Sequence, residues 1–301
     1  MQVAMIGLGR MGANMAQRLQ RGGHAVVGYD PSPGAREGLA GMGIGTADSL
    51  EALVAALAVP RALWMMVPAG EPVEATIAAL QPLLSAGDVL VDGGNSNYLD
   101  SQRRAAALQA LGIGYLDVGT SGGVWGLAEG YSLMVGGDVE AAARLSPLFE
   151  ALAPTPTTGW AHVGPSGAGH YAKMIHNGIE YGMMQAYAEG FAILERRQDL
   201  IPDLAGLAEL WRHGSVVRSW LLDLTAGALK DNPGLEGIAP WVPDSGEGRW
   251  TVAEAIALDV PAPVITQSLI ERLRSRQDNA YADRLLAAMR GAFGGHGVKR
   301  G

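Results

Sequence analysis

Gly7-Leu8-Gly9-Arg10-Met11-Gly12 lies between a short apolar run, Gln2 to Ile6, and a helical pattern from Met11 to Leu19. Few hexapeptides restrict a fold so severely. A strand arriving at Ile6 turns at Gly7, where a residue without Cβ accepts the tight geometry, and leaves as a helix packed closely on the strand at Gly12. Gly9 keeps the backbone between them open, and the amino terminus of the helix faces that opening with unpaired N–H groups. Such a turn suits a pyrophosphate, so Gly7, Leu8, Gly9, Arg10, Met11 and Gly12 are expected to cradle a dinucleotide. A second run, Ala25 to Tyr29, ends in Asp30, eighteen residues beyond Gly12, where a carboxylate accepts from ribose hydroxyls. Asp30 repels a 2′-phosphate, which makes NAD the expected cofactor and NADP the less favoured one. Arg36 is the one nearby cation able to soften that repulsion, and the competing reading of Asp30 is a turn residue before Pro31.

Apolar runs recur at Ala62 to Val67, Val89 to Asp92, Tyr115 to Val118 and Leu133 to Val135, with helical stretches between the first three. Strand alternating with helix predicts a doubly wound parallel sheet, an α/β domain of Rossmann type. Ligands of such sheets bind beyond the carboxyl ends of the strands. Val67-Pro68-Ala69-Gly70, Gly93-Gly94-Asn95-Ser96 and Thr120-Ser121-Gly122-Gly123 stand there. Singly each is turn chemistry. Converging on one sheet edge, they offer N–H groups, amides and hydroxyls suited to a carboxylate and a polyol. From Ser166, a candidate N-cap, the pattern is almost entirely helical, dividing the chain into residues 1–164 and an all-helical block, 165–301.

A net charge of −8 without any basic run argues against nucleic acid as a partner. Zero cysteines exclude disulfides and thiolate chemistry and agree with a reducing compartment, so a cytoplasmic protein is expected. The most apolar stretch, Ala52 to Ala69, is broken by Pro60, Arg61 and Pro68 and does not read as a membrane span. No clustered His, Asp and Glu set predicts a metal.

In the helical block Lys173, His176, Asn177 and Glu180 stand at i, i+3, i+4 and i+7, one face of a helix. Only three of the 22 Lys plus Arg residues are lysine. Where positive charge alone is needed this chain uses arginine, so Lys173 is expected to do what guanidinium cannot, which is to lose a proton once desolvated. Lys173 and Glu180 lie roughly 10 Å apart along a helix axis and can serve different atoms of one elongated substrate. The alternative is a core helix with polar residues reaching solvent. Gly167, Gly169, Gly178, Gly182 and Gly190 weigh against it, because helices accept glycine chiefly where a neighbour or ligand crowds them. Further on, Asn232 to Gly248 reads as a long functional loop, Arg272, Arg274 and Arg276 as a charged helix face, and Arg290 to His296 as a glycine-rich tail.

Taken together, Gly7 to Asn14, Asp92 to Asn97, Ser121 to Gly123, Gly167 to Tyr181, Gly248 to Thr251 and Arg290 to His296 resemble 6-phosphogluconate dehydrogenase, the decarboxylating enzyme of the β-hydroxyacid dehydrogenase superfamily. The resemblance spans nearly the whole chain, in a short form without the second helical repeat. It implies Lys173 as general base and Glu180 as acid, with Asn95, Ser121, Gly122, Gly123, His176 and Asn177 around the carboxylate and hydroxyls. It implies Tyr181, Arg272 and Arg290 at the phosphate. It also implies that Arg290 and His296 come from a second subunit, hence a homodimer or higher homo-oligomer. The sequence departs from the family pattern at Ser245 and Glu247, where long forms carry Lys and Thr, and at Val124, where they carry an acid. Two rivals remain: an hydroxyisobutyrate-type dehydrogenase, which needs no phosphate site, and a non-catalytic NAD-binding sensor, which needs neither Lys173 nor Glu180.

Overall fold

A computed structural model describes residues 1–278 and 281–294, the last five of these as backbone alone. The chain forms two compact units, residues 1–177 and 178–301. In the first, β1 (Gln2–Ile6), α1 (Arg10–Arg21), β2 (Ala25–Tyr29), α2 (Pro33–Ala40), β3 (Gly45–Thr46), α3 (Leu50–Ala55), β4 (Ala62–Met65) and α4 (Glu71–Leu80) build one wing of a sheet. The other wing is β5 (Val89–Asp92), α5 (Tyr98–Gln109), β6 (Gly114–Ser121), α6 (Gly126–Glu129), β7 (Ser132–Gly137), α7 (Val139–Leu152) and β8 (Trp160–Gly164). The strand order is β3-β2-β1-β4-β5-β6-β7-β8.

Alternate residues of the strands feed two cores, one on each face. Val3, Met5, Trp64, Val91 and Val118 pack with α1 and α7, whereas Ala4, Ile6, Leu63, Met65 and Leu90 pack with α3 and α4. Burial on both faces explains why the strands read as continuous apolar runs. Two features differ from the sequence expectation. The sheet is mixed, since β6 and β7 pair antiparallel. The connection between them holds a 3-10 turn, Gly123–Trp125, and the four-residue α6, and is too short for the crossover that a parallel pair requires. Two strands, β3 and β8, also escaped the pattern: β3 has two residues, and β8 has an exposed, polar-interrupted Trp-Ala-His-Val-Gly sequence.

The helix α8 (Ala168–Glu195) begins in the first unit and continues without interruption into the second. Unit two adds α9 (Leu204–Trp211), α10 (Trp220–Asp231), α11 (Glu247–Ala257), α12 (Pro263–Arg274) and α13 (Tyr281–Gly294). A small core of Ala208, Leu222, Ala226 and Leu229 is extended by Tyr187 and Phe191 of α8. Among the described residues no helix is long and apolar enough to cross a membrane.

Candidate active site

The three glycines of the first turn do different work. Gly7 has φ of 88°, and a Cβ there would lie 2.5 Å from the Met66 carbonyl oxygen; at Gly12 it would lie 1.9 Å from the Gly7 oxygen. Protein packing alone therefore demands both. At Gly9 a Cβ would meet nothing within 4 Å, so the space in front of that backbone is open. Gly9 is the N-cap of α1, no side chain caps the helix, and its first turn carries no acid. Exposed N–H groups beside an open backbone fit a dinucleotide phosphate. Asp30 accepts from Leu8 N–H at 2.8 Å and Ser32 N–H at 2.8 Å, which joins the end of β2 to the glycine turn. Arg36 donates to the Asp30 carbonyl at 2.7 Å and lies 3.6 Å from Asp48. Its guanidinium is committed to the loop.

Beyond β4, a Cβ at Gly7 would come 3.1 Å from Val67 Cγ1, and one at Gly94 would come 2.9 Å from the Val67 carbonyl oxygen. Val67 thus touches both the cofactor turn and the turn of Asn95. That second turn stands on the buried Asp92, whose Oδ2 accepts from Ser96 Oγ at 2.7 Å, Tyr115 Oη at 2.9 Å and Arg104 at 3.3 Å. Burial pushes the Tyr115 phenol well above its ordinary range, and the Asp92 carboxylate adds to the effect. Asn95 itself is exposed at the tip.

Helix α8 docks on β6 through backbone rather than side chains. A Cβ at Gly169 would lie 2.2 Å from the Asp117 carbonyl oxygen and 2.4 Å from that of Met134, and a Cβ at Gly119 would lie 2.5 Å from Lys173 Cβ. Lys173 is 7% exposed and seated over Gly119, two residues before Ser121. His176 Nε2 is 3.3 Å from Ser121 Oγ, and its Nδ1 is 3.0 Å from Asn177 Oδ1. Ser121, His176 and Asn177 therefore stand together beside the Gly122–Gly123 turn, where φ is 129° and 52°.

The cap of α8 corrects the sequence reading. The first N–H groups are met not by Ser166 but by Asp117 of β6, whose carboxylate accepts from Gly167 at 2.7 Å and His170 at 2.9 Å. A charged residue inside an apolar strand was the available signal, because a buried carboxylate needs donors. The crowding inferred from five glycines holds at Gly167, Gly169 and Gly178, where a Cβ would come 2.6 Å from Thr251. Gly182 has only ordinary contact at 3.4 Å and Gly190 has nothing within 4 Å.

In the second unit Arg272 lies 3.5 Å over the Tyr181 ring and donates to the Pro243 carbonyl at 3.0 Å. The arginines of α12 are therefore not a plain solvated face: Arg276, just past the helix, also holds the loop by donating to Val242 at 2.9 Å. Tyr181 Oη is 3.5 Å from Ser245 Oγ, and a Cβ at Gly248 would strike its ring at 2.5 Å. Glu247 is 2% exposed, and neither carboxylate oxygen has a hydrogen-bond partner among the described residues. Glu180 is half-buried one position before Tyr181. Val124 is exposed, and its carbonyl lies 3.5 Å from Asn14 Nδ2 of α1. Arg290 falls on α13 with its side chain outside the described residues, as is His296 altogether.

Residues 2–163 match the NAD binding domain of 6-phosphogluconate dehydrogenase, and residues 169–284 match the C-terminal domain of the same enzyme. An NAD(+)-dependent, decarboxylating 6-phosphogluconate dehydrogenase of Haloferax volcanii is 47% identical, covering 100% of this chain and 99% of that protein. A putative 6-phosphogluconate dehydrogenase of Bacillus subtilis is 43% identical over 100% of both. Among solved structures, Plasmodium falciparum 6-phosphogluconate dehydrogenase superposes with a TM-score of 0.86 at 26% identity, covering 100% of this chain and 66% of that one. Mycobacterium tuberculosis 3-hydroxyisobutyrate dehydrogenase superposes with a TM-score of 0.71 at 26% identity, covering 89% and 90%.

Proposed function

The chain belongs to the 6-phosphogluconate dehydrogenase family, and from that premise we propose how its residues share the reaction. The protein oxidises and decarboxylates 6-phosphogluconate to ribulose 5-phosphate and CO2, with NAD as cofactor. NAD, when bound, supplies the hydride acceptor. Gly7, Leu8, Gly9, Arg10, Met11 and Gly12 hold its pyrophosphate, Asp30 its ribose, and Val67 and Asn95 line its path. Residues 1–164 form the cofactor domain and residues 165–301 the substrate and dimerisation domain.

Lys173 takes the proton of the C3 hydroxyl as that carbon is oxidised to a ketone. The protonated amine then donates to the ketone oxygen, which draws the electrons of the breaking C1–C2 bond as CO2 leaves. Glu180 returns a proton to C2 of the enediol. Ser121, Gly122, Gly123, His176 and Asn177 hold the carboxylate and hydroxyls, and Tyr181 with Arg272 the phosphate. The observation that carries this reading is the burial of Lys173 over Gly119, two residues from the Ser121–His176 contact. The Arg272–Tyr181 stack favours a phosphorylated substrate over an hydroxyisobutyrate type. A homodimer or higher homo-oligomer, with Arg290 and His296 completing the neighbour's site, is supported by exposed apolar side chains such as Ile193, Leu210 and Ile256. The cytoplasm is the proposed setting, in keeping with a chain without cysteine.

Initial rates with 6-phosphogluconate and each cofactor test the assignment. NAD is expected to give the higher kcat/KM, and Asp30→Ala to narrow the gap. A parent enzyme that prefers NADP overturns the role of Asp30, and one that produces no NADH overturns the whole reading.

A further inference from the structure

The starts of α5 and α8 are joined by a buried hydrogen bond that no step above uses. His170 Nδ1 is 2.7 Å from Ser101 Oγ, with both residues buried. Ser101 has one hydroxyl hydrogen, and its Oγ also stands 3.2 Å from the Asn97 carbonyl oxygen, which can only accept. His170, Ser101 and the Asn97 carbonyl thus form one chain of contacts, at 2.7 Å and 3.2 Å. It ends in the turn that carries Asn95. At its beginning, the His170 backbone N–H donates to Asp117 at 2.9 Å, and Lys173 follows three residues later on the same helix face.

Packing at this joint leaves no slack. A Cβ on Gly167 would lie 2.8 Å from Gln102 Cγ and 3.0 Å from the Tyr98 carbonyl oxygen. The Tyr98 and Tyr171 rings meet edge to face at 5.0 Å. Within that joint His170 is a poor choice for stability alone, because its Nε2 is buried without a hydrogen-bond partner among the described residues. An unpaired buried polar atom destabilises, whereas an apolar ring of similar size would not. What histidine adds over phenylalanine is a directed bond to one atom of α5.

We propose that His170 and Ser101 are positioning residues, which fix the helix of Lys173 against the turn of Asn95 so that base and substrate anchor keep one geometry. The inference rests on the reading of Lys173 and Asn95 as site residues. A displacement of about 1 Å between such groups can slow a reaction about 100-fold. Among the described residues, neither side chain hydrogen-bonds to Gly7 to Gly12 or Asp30.

Ser101→Ala, His170→Phe, His170→Asn and the Ser101→Ala/His170→Phe pair, each in the full chain, test these contacts. Ser101→Ala should lower kcat about 10-fold and His170→Phe between about 10- and 100-fold, with Kd for NAD, held chiefly by Gly7 to Gly12 and Asp30, changed far less than kcat. The isotope effect with substrate deuterated at C3 should rise as oxidation becomes limiting. His170→Asn, whose amide reaches Ser101 much as Nδ1 does, should recover most of kcat. The double variant should be no slower than His170→Phe. Unchanged kcat in Ser101→Ala and His170→Phe overturns the proposal, and so does a loss that weakens NAD binding equally and follows the folded fraction. If His170→Phe does not fold, Ser101→Ala, which removes a single atom, decides alone. Lys173→Met in parallel separates the readings: turnover there removes the site assignment, whereas its inactivity beside an unaffected Ser101→Ala removes only the positioning role.

Discussion

The two ends of α8 are held to different tolerances. Within the first unit, Gly169 allows the Asp117 carbonyl oxygen to come within 2.2 Å of where a Cβ would be. Past the unit boundary the corresponding clearances are 2.6 Å at Gly178 and 3.4 Å at Gly182, and Gly190 is open. Contact at the first end is backbone against backbone, with a carboxylate cap from Asp117, so the position of Lys173 cannot drift without moving β6. Further along, contact passes to side chains such as Thr251 and Val264, which can adjust. Precision is concentrated where the proposed base stands.

The largest expected effect separates the groups carried by the helix. Lys173→Met should lower kcat by about 10²- to 10⁴-fold with NAD affinity retained, because a positioned base acts at the reacting proton. Glu180→Gln should permit oxidation and slow the later protonation, seen as a keto or enediol intermediate that accumulates in single turnover. Equal loss of the oxidation step in both variants would erase the distinction between the two positions.

A smaller effect concerns stability along the same helix. Gly169→Ala should destabilise by about 3 kcal/mol, the upper end for overpacking, since its new methyl group meets immovable backbone. Gly190→Ala should stabilise by about 0.5–1 kcal/mol, because nothing opposes the methyl and the unfolded chain loses freedom. Urea denaturation midpoints of the two variants check the gradient. Destabilisation by Gly190→Ala would show that the far end is as tightly fitted as the near one.

The smallest effect is electrostatic and belongs to the second unit. Burial alone would raise the Asp244 carboxyl, but the Arg249 hydrogen bond and the Gly246 N–H hold it below the usual carboxylate range. A lowered folded value means that this stabilisation is present at neutral pH and is lost as pH falls through that value. With Arg249 half exposed, Asp244→Asn should cost about 0.2–1 kcal/mol at pH 7 and nothing in acid. A difference that persists at pH 2 would assign Asp244 to packing rather than charge.

The first unit was largely legible because its signals are local. Gly7 to Gly12 and Asp30 stand in the expected turns, and all six anticipated apolar runs fall on strands, five of them with both ends within two residues of the expected places. Antiparallel β7 was not legible, since an apolar run carries no direction and only the length of the β6–β7 connection decides it. The helix of Lys173 was legible from spacing, yet its cap was not. Ser166 is the local candidate, whereas Asp117 comes from 50 residues away. Arg272 illustrates the same limit from the other side, because a helix face rich in arginine looks solvated until Tyr181 is found beneath it.

By itself, the sequence determined six of the eight strands, the open backbone at Gly9, the carboxylate at Asp30 and the spacing of Lys173, His176, Asn177 and Glu180. Each of these follows from residues within one or two elements, where backbone geometry and periodicity act over short distances. Tertiary structure alone decided that Asp117 caps α8, that Gly119 seats Lys173, that His170 reaches Ser101 across 69 residues and that Glu247 is buried without a hydrogen-bond partner among the described residues. Those outcomes depend on which strand and helix meet. Contacts between elements distant in the chain are set by packing of the whole core, and no local pattern of residues encodes them.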